Sequence, residues 1–459
     1  MADLFARLKE DGRAVFLEQG RSEDFFTVAN LGSMATVDGI NKRRINGIDL
    51  PRWAPEADLQ MFEEMHQPGT LASGVILSNI FAFRWAMAAG TRAGTLLYEV
   101  GDDPAADLAN AEAAAGGGGA FIQPGLAAPE ARDLWTKFFR EHADLWAGAV
   151  SEARIALLFW SDQLFYEYPE HLEMTRRWAH ILAECQVPFD IVTEEGLSTI
   201  NKYEIVIAPR IRYMDNGQMA ALLDHAHSGG KLLVTEPFGT DDKPARPRAA
   251  NPLDRACPRM GAFQAATWGK GRILRLEESG IPRRESEFFR MMEERGNEIV
   301  RAAAFLNEAR EAEVVKQSDL GGELVGRIEQ ALEHPLRWCP AETDPCLYVH
   351  PYRVPKSASA PSRLIVHLVN YRLPIELGDS SPREGKSAIR SVTHSGKPAL
   401  LSNVQVRVPF SDTTEILKVF ALSPCEAVEP VEWRREAGAV TMTIPALKTY
   451  QAVVLELKN

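Results

Sequence analysis

Between Ala153 and Thr240 the chain alternates unbroken apolar runs with segments of helical period. Arg154-Ile-Ala-Leu-Leu-Phe-Trp160 is one such run, and Phe189–Val192, Glu204–Ala208 and Lys231–Thr235 are three more. Met174, Trp178, Ile181, Leu182 and Cys185 recur at spacings of three and four and predict a helix over Pro169–Cys185. Met219, Leu222, Leu223 and Ala226 predict a second over Asp215–Ser228, stopped by Gly229-Gly230. Strands that are apolar on both faces and separated by helices form a parallel sheet covered on both sides. The pattern therefore predicts a doubly wound α/β domain over 151–280.

The flanks read differently. In residues 1–150, Phe25–Asn30, Thr95–Val100 and Ala120–Gln123 are strand-like runs among helical patterns over Ile80–Ala89, Pro104–Ala115 and Pro129–Trp146. Residues 3–20 suit a helix, although Ala14–Leu17 also suits a strand. The alternation predicts a partial (β/α) barrel segment, because a complete eight-stranded barrel takes about 250 residues. Half a barrel leaves sheet edges and an apolar interior uncovered. Three readings stay open: a fragment of a longer protein, a degenerate half-barrel covered by something else, or a smaller fold.

Residues 236–270 have the Pro-, Arg- and Ala-rich composition of a loop, and Trp268–Leu276 returns as a strand. A helical connection is predicted over 281–345: Phe288, Phe289, Met292, Ile299, Ala303 and Leu306 share a face of a charged helix, and Glu323–Leu332 is a second helix. From Cys346 onward, Leu347–His350, Arg363–Tyr371, Val404–Val408, Ile416–Leu422, Val440–Ile444 and Gln451–Leu457 are short β-rich runs between turn residues. They predict an antiparallel β-sandwich over 346–459.

Composition narrows the function classes. The chain has 459 residues, 45% hydrophobic and 25% charged, which is ordinary globular usage. Its net charge of −12 and its lack of any dense basic run disfavour a nucleic-acid partner; the longest basic cluster is Asn41–Arg44. No apolar run approaches the roughly 18–20 residues that span a bilayer, and the first residues lack the apolar core of a signal peptide. The five cysteines are scattered without CxxC spacing, which argues against a disulfide framework or a structural zinc and for a reducing, cytoplasmic setting. Gly116–Gly119 follows a helix and precedes a strand, the reverse of a phosphate cradle, and reads as a flexible turn.

The runs "ARIALLFW", "YEIVIAPRIRYM" and "HSGGKLLVTEPFG" resemble the glutamine-amidotransferase-like trimerisation domain in beta-galactosidases of glycoside hydrolase family 42. Upstream, "FFREHADLWAGA" is similar to the last barrel helix that enters that domain. Downstream, "RLIVHLVNY" and "VTMTIPALKTYQAVVLEL" are similar to the C-terminal β-sandwich of the same architecture. The resemblance implies a glycoside-hydrolase-like protein acting on O-glycosides, a carbohydrate ligand, a homo-oligomer and no cofactor. The rival is a non-catalytic carbohydrate-binding or assembly protein with a relic barrel.

Amidotransferase chemistry itself needs a nucleophilic Cys at a tight strand-to-helix turn with His nearby. Here the fourth strand runs into Thr235-Glu236-Pro237, and His225 and His227 diverge on their helix. Glycoside hydrolysis needs two carboxyl groups at C-terminal strand ends of a barrel. Glu99 has that placement, and the resemblance makes it the nucleophile, with Asn30 on the same rim at the end of the preceding strand. The family's acid/base, a Glu after Asn on the fourth barrel strand, has no counterpart in the first 150 residues; Glu18 is a weak substitute. The loop after the first central strand carries Trp160, Phe165, Tyr166 and Tyr168 beside Asp162 and Glu167. Flat aromatic faces with nearby carboxylates suit sugar rings, which makes Trp160 and Tyr166 candidate substrate contacts; the alternative is an aromatic cluster that packs domains together.

Overall fold

In the computed structural model the described residues are 2–19, 27–30, 57–64, 68–71, 76–97, 103–122, 128–166, 170–282, 309–357, 360–378, 390–393, 398–411, 413–424 and 428–458. Glu99, Glu167, Tyr168, Cys425 and the predicted helix face from Phe288 to Leu306 lie outside them.

The first segment is helical, over Ala2–Glu18. Four parallel strands follow: β1 (Val28–Asn30), β2 (Leu59–Glu64), β5 (Arg92–Leu97) and β6 (Ala120–Ile122), in the order β1-β2-β5-β6. The short strands β3 (Gly69–Leu71) and β4 (Ile76–Leu77) intervene before the Ile80–Ala88 helix. Strand β2 corrects the sequence reading twice. Its run Leu-Gln-Met-Phe-Glu-Glu lacks a clear apolar alternation, because Gln60 is completely buried yet polar. It also lies between β1 and β5, so Asn30 is not on the strand next to the one that leads to Glu99.

Two features seal this segment. The Asp103–Ala115 helix is buried from Ala105 to Ala115, which seven alanines make sterically feasible. The four glycines after it form a tightly packed turn. Gly117 and Gly118 have φ of 102° and 74°, and a Cβ at Gly118 would lie 2.6 Å from the Trp146 ring. The expected helix-to-strand turn is present, and its glycines are there for close approach.

Strands β8 (Ile155–Leu158), β9 (Phe189–Val192), β10 (Ile205–Pro209), β11 (Lys231–Thr235) and β15 (Gly271–Leu276) are parallel, in the order β15-β11-β10-β8-β9. β14 (Phe263–Trp268) adds an antiparallel edge on β15. The predicted strand Trp268–Leu276 is thus the second arm of a hairpin whose turn includes Gly269 at φ 60°. The region expected to be loop also holds the ladder β12 (Asp241–Lys243) with β13 (Arg246–Pro247) and the Pro252–Ala256 helix.

Side chains alternate strictly between two cores. Ile155, Leu157, Ile205, Ile207, Leu233 and Leu274 join one; Ala156, Leu158, Val206, Ala208, Leu232 and Val234 join the other. The first core is covered by the Glu170–Glu184 helix, through Met174, Trp178 and Leu182. The second is covered by the Asn216–His227 helix, through Met219, Leu222 and Ala226. Asp215 starts that helix with a capping box with Gln218.

The C-terminal part is a sandwich. A five-stranded sheet comprises β7 (Val150–Ser151), β16 (Leu347–Val354), β17 (Ser362–Asn370), β21 (Glu415–Leu422) and β24 (Tyr450–Lys458). It faces a three-stranded sheet of β20 (Leu401–Pro409), β22 (Glu432–Glu436) and β23 (Ala439–Leu447). Val349, Leu364, Val366, Val453 and Leu455 meet Val404, Val406, Val440, Met442 and Ile444 between them. The opposite face of the larger sheet is also buried: Tyr348, Ile365, Val369, Tyr450 and Val454 belong to the same core as the barrel helices and the central domain. The hairpin of β18 (Pro374–Gly378) and β19 (Arg390–Thr393) reaches back to pair with β3.

Candidate functional site

Parallel strands of a barrel present their C-terminal ends on one rim. Here that rim is formed by the ends of β1, β2, β5 and β6. In register, Asn30 lies level with Met61, whereas Glu63 and Glu64 lie level with Leu96 and Leu97. Asn30 therefore sits three residues lower than Glu64, about 10 Å at the usual strand rise. Glu63 and Glu64 end β2 at this rim, positions that the sequence pattern did not single out because β2 itself was not recognised. Gln60, Phe62, Ala93 and Thr95 occupy one face of β2 and β5 and are almost fully buried, whereas Met61 and Arg92 on the other face are half-buried.

The strands are held from behind by a buried polar seam. Glu112 accepts hydrogen bonds from the Asn79 N–H at 2.6 Å, the Asn79 Nδ2 at 2.9 Å and the Tyr371 hydroxyl at 2.7 Å. One carboxylate thus joins both barrel helices to the sandwich. Arg84, on the Ile80–Ala88 helix, donates to the Ala115 carbonyl at 2.6 Å, to His350 Nε2 at 2.6 Å and to the Tyr352 hydroxyl. Because His350 Nε2 accepts, the ring carries its proton on Nδ1, which faces the Tyr348 hydroxyl at 3.3 Å. Burial, then the charge of Arg84, pushes His350 well below the ordinary histidine range, and the same two causes bring His367 down to about 3.

The second place to look is the end of the central sheet. Ligands in open α/β sheets bind where strand order reverses, which here is between β8 and β10. That crevice is plugged. His171 accepts from the Trp160 N–H at 2.9 Å and donates to the Pro209 carbonyl, and its ring stacks on Phe159 at 5.5 Å. Burial lowers its pKa to about 4, so it is neutral and acts as a structural stitch. Glu194 fixes the next turn by accepting from the Ser161 N–H, the Ser161 hydroxyl and the Asp162 N–H. Its burial pushes its pKa up to about 7 against those donors.

Trp160 is 1% exposed and belongs to the core under the central sheet, so its ring offers no open face for a sugar. Tyr166 is 37% exposed and meets the Tyr213 ring edge-on at 5.0 Å. Tyr166 thus pairs with the half-buried Tyr213; the latter follows β10 and was visible in sequence only as part of an architectural run.

The strand end where an amidotransferase-like nucleophile was sought holds structural groups. Trp178 Nε1 donates to the Thr235 hydroxyl at 2.9 Å, and Glu236 pairs with Arg275 and, at 2.9 Å, with Arg259. The described cysteines, Cys185, Cys257, Cys339 and Cys346, are free and buried, and burial raises each thiol pKa. Among the described residues no group of three His, Cys, Asp or Glu could hold a metal, and no helix is long and apolar enough to cross a membrane.

Residues 154–250 match the family model of the beta-galactosidase trimerisation domain. No curated protein matches the chain. Among solved structures, the beta-galactosidase from Bacillus circulans sp. alkalophilus superposes with a TM-score of 0.53 at 11% identity, covering 99% of this chain and 66% of that one. The cold-adapted beta-galactosidase from Rahnella sp. R3 gives 0.53 at 10%, covering 99% and 67%. The beta-galactosidase from Halorubrum lacusprofundi gives 0.51 at 13%, covering 84% and 65%. The chain spans about two thirds of the length of these proteins. It carries a beta-galactosidase trimerisation domain and resembles, in fold, the C-terminal part of family 42 glycoside hydrolases: a partial barrel, an amidotransferase-like domain and a β-sandwich.

Proposed function

We propose that this chain takes part in hydrolysis of O-glycosides of the beta-galactoside class, with Glu99 as nucleophile and Asn30 on the same rim, at the end of β1 beyond the intervening β2. The observation that carries the reading is the coincidence of three parts in one order: four parallel barrel strands, the trimerisation domain and the sandwich. β5 leads toward Glu99, two residues beyond Leu97, and β2 brings Glu63 and Glu64 to the neighbouring strand end. Thr95 lies on the buried face shared with Phe62. In the retaining reaction the Glu99 carboxylate attacks the anomeric carbon while a second carboxylic acid, about 5–5.5 Å away, protonates the departing oxygen; water then releases the sugar. Trimerisation-domain similarity supports a homo-oligomer. Tyr166 with Tyr213 replaces Trp160 as the aromatic contact for a sugar.

The test is hydrolysis of an aryl beta-galactoside by the native protein. We expect Glu99→Gln to lower kcat by at least about a thousandfold, as loss of a nucleophile does, with an unchanged melting temperature. Unchanged hydrolysis would remove Glu99 from the mechanism. If the parent binds oligosaccharide without cleaving it, the non-catalytic reading stands instead; the observation in its favour is that the described barrel strands number four.

A further inference from the structure

A cavity of about 300 Å³ lies away from the barrel rim, between the Ile80–Ala88 helix, residues 149–151, β9 and the turn that follows it. That size reaches the lower end of small-ligand pockets. Its wall combines Arg84, Ser151, Asp190, Thr193, Lys202 and Tyr203. We propose that it is a binding site for one neutral, hexose-sized polyhydroxyl molecule, held between the barrel segment and the central domain.

The mixed charges favour a neutral ligand. Asp190 repels an anion, and its pKa is raised because it is buried, with Arg84 opposing. Arg84 and Lys202 repel a cation. A neutral molecule with adjacent hydroxyls can donate to the carboxylate and accept from the ammonium at once. Asp190 retains part of its capacity for this: the Tyr203 hydroxyl donates to Oδ2 at 3.1 Å and the Ser151 hydroxyl also bonds the carboxylate, but Oδ1 stands 3.9 Å from Arg84 Nη1 and 3.8 Å from His350 Nε2, both beyond hydrogen-bond length.

Thr193 adds a polar group to this wall. It is 2% exposed and lines the cavity. Its hydroxyl can both donate to and accept from a ligand hydroxyl. Lys202 is exposed at this wall, with its ammonium 4.7 Å above the Tyr203 ring. Met87 and Val150 give the apolar surface that the C–H face of a sugar needs.

The site does not depend on hydrolysis at the rim, and the experiment separates the two. Hydrogen exchange of the full chain is followed with about 50 mM D-galactose, enough to occupy a millimolar site. Sucrose at the same concentration, too large for the cavity, controls for general stabilisation. We expect protection by galactose alone in peptides covering 84–88 and 190–203. Thr193→Val and Lys202→Ala should each weaken it by about two- to tenfold, the worth of one hydrogen bond, with unchanged melting temperatures. Protection elsewhere only, equal protection by sucrose, or an unchanged response in both variants would overturn the proposal. So would protection of these peptides by sodium sulfate and not by galactose, which marks an anion site.

Discussion

The central sheet and the seam that joins it to its neighbours solve burial in opposite ways. In the sheet, every strand residue from Ile205 to Ala208 is aliphatic and nearly inaccessible, and two dry cores lie on its faces. In the seam, Arg84, Glu112, His350 and Tyr352 are just as inaccessible but are held by directed hydrogen bonds. Apolar packing tolerates substitution in proportion to the volume lost. A polar network fails when one partner goes, since the others remain buried and unmatched. The difference teaches that the fold of each part is secured by hydrophobic pattern, whereas the mutual placement of the parts adds to their shared apolar core a few directed polar side chains.

The sharpest way to break this contrast is Arg84→Ala. It removes the guanidinium from His350, Tyr352 and the Ala115 carbonyl, leaving only the Ser151 hydroxyl on His350 Nε2 and the Tyr352 hydroxyl on the carbonyl, and should cost about 3–5 kcal/mol, read by urea denaturation. A single cooperative transition merely shifted by under about 1 kcal/mol would mean the seam is not what holds the parts together.

Acid should act next. His171, His350 and His367 are buried and neutral, with folded pKa values below the ordinary 6.5: about 4, well below 6.5 and about 3. Their stability contribution is fully present above pH 6.5 and is lost as the pH falls toward these values. Each fully titrating histidine removes about 1.4 kcal/mol per pH unit in that window. Glu194 has the opposite sign: its pKa is raised to about 7 by burial, so its contribution declines as the pH rises through 7. Thermal melts from pH 8 to pH 4 should show the histidine loss. A flat profile below pH 6 would refute it.

The smallest effect belongs to the central domain. Asp215→Ala removes one cap of the Asn216–His227 helix and should cost about 1 kcal/mol, without disturbing the seam. Equal losses for Asp215→Ala and Arg84→Ala would erase the distinction between the two regions.

The central domain was legible because its strands are buried on both faces and its helices have clean apolar faces. Phe189–Val192 and Lys231–Thr235 are found at the residues expected. β2 was not, because Gln60 sits buried in a short run that ends in two glutamates. β22, with Glu-Trp-Arg-Arg-Glu, looks like surface and is a strand only because β23 pairs with it. Trp160 misled in the other direction: an aromatic after a strand suits a ligand platform or a core equally, and only the fold buried it.

Local pattern by itself therefore determined the α/β alternation, the helix caps and the sandwich texture, since hydrophobic period and turn chemistry act over a few residues. The tertiary structure alone decided which polar groups meet. Arg84 and His350 are 266 positions apart, and Glu112 and Tyr371 are 259 apart. No local property of the chain encodes such a distance; it arises when the sandwich sheet closes over the barrel helices and buries both groups in one core.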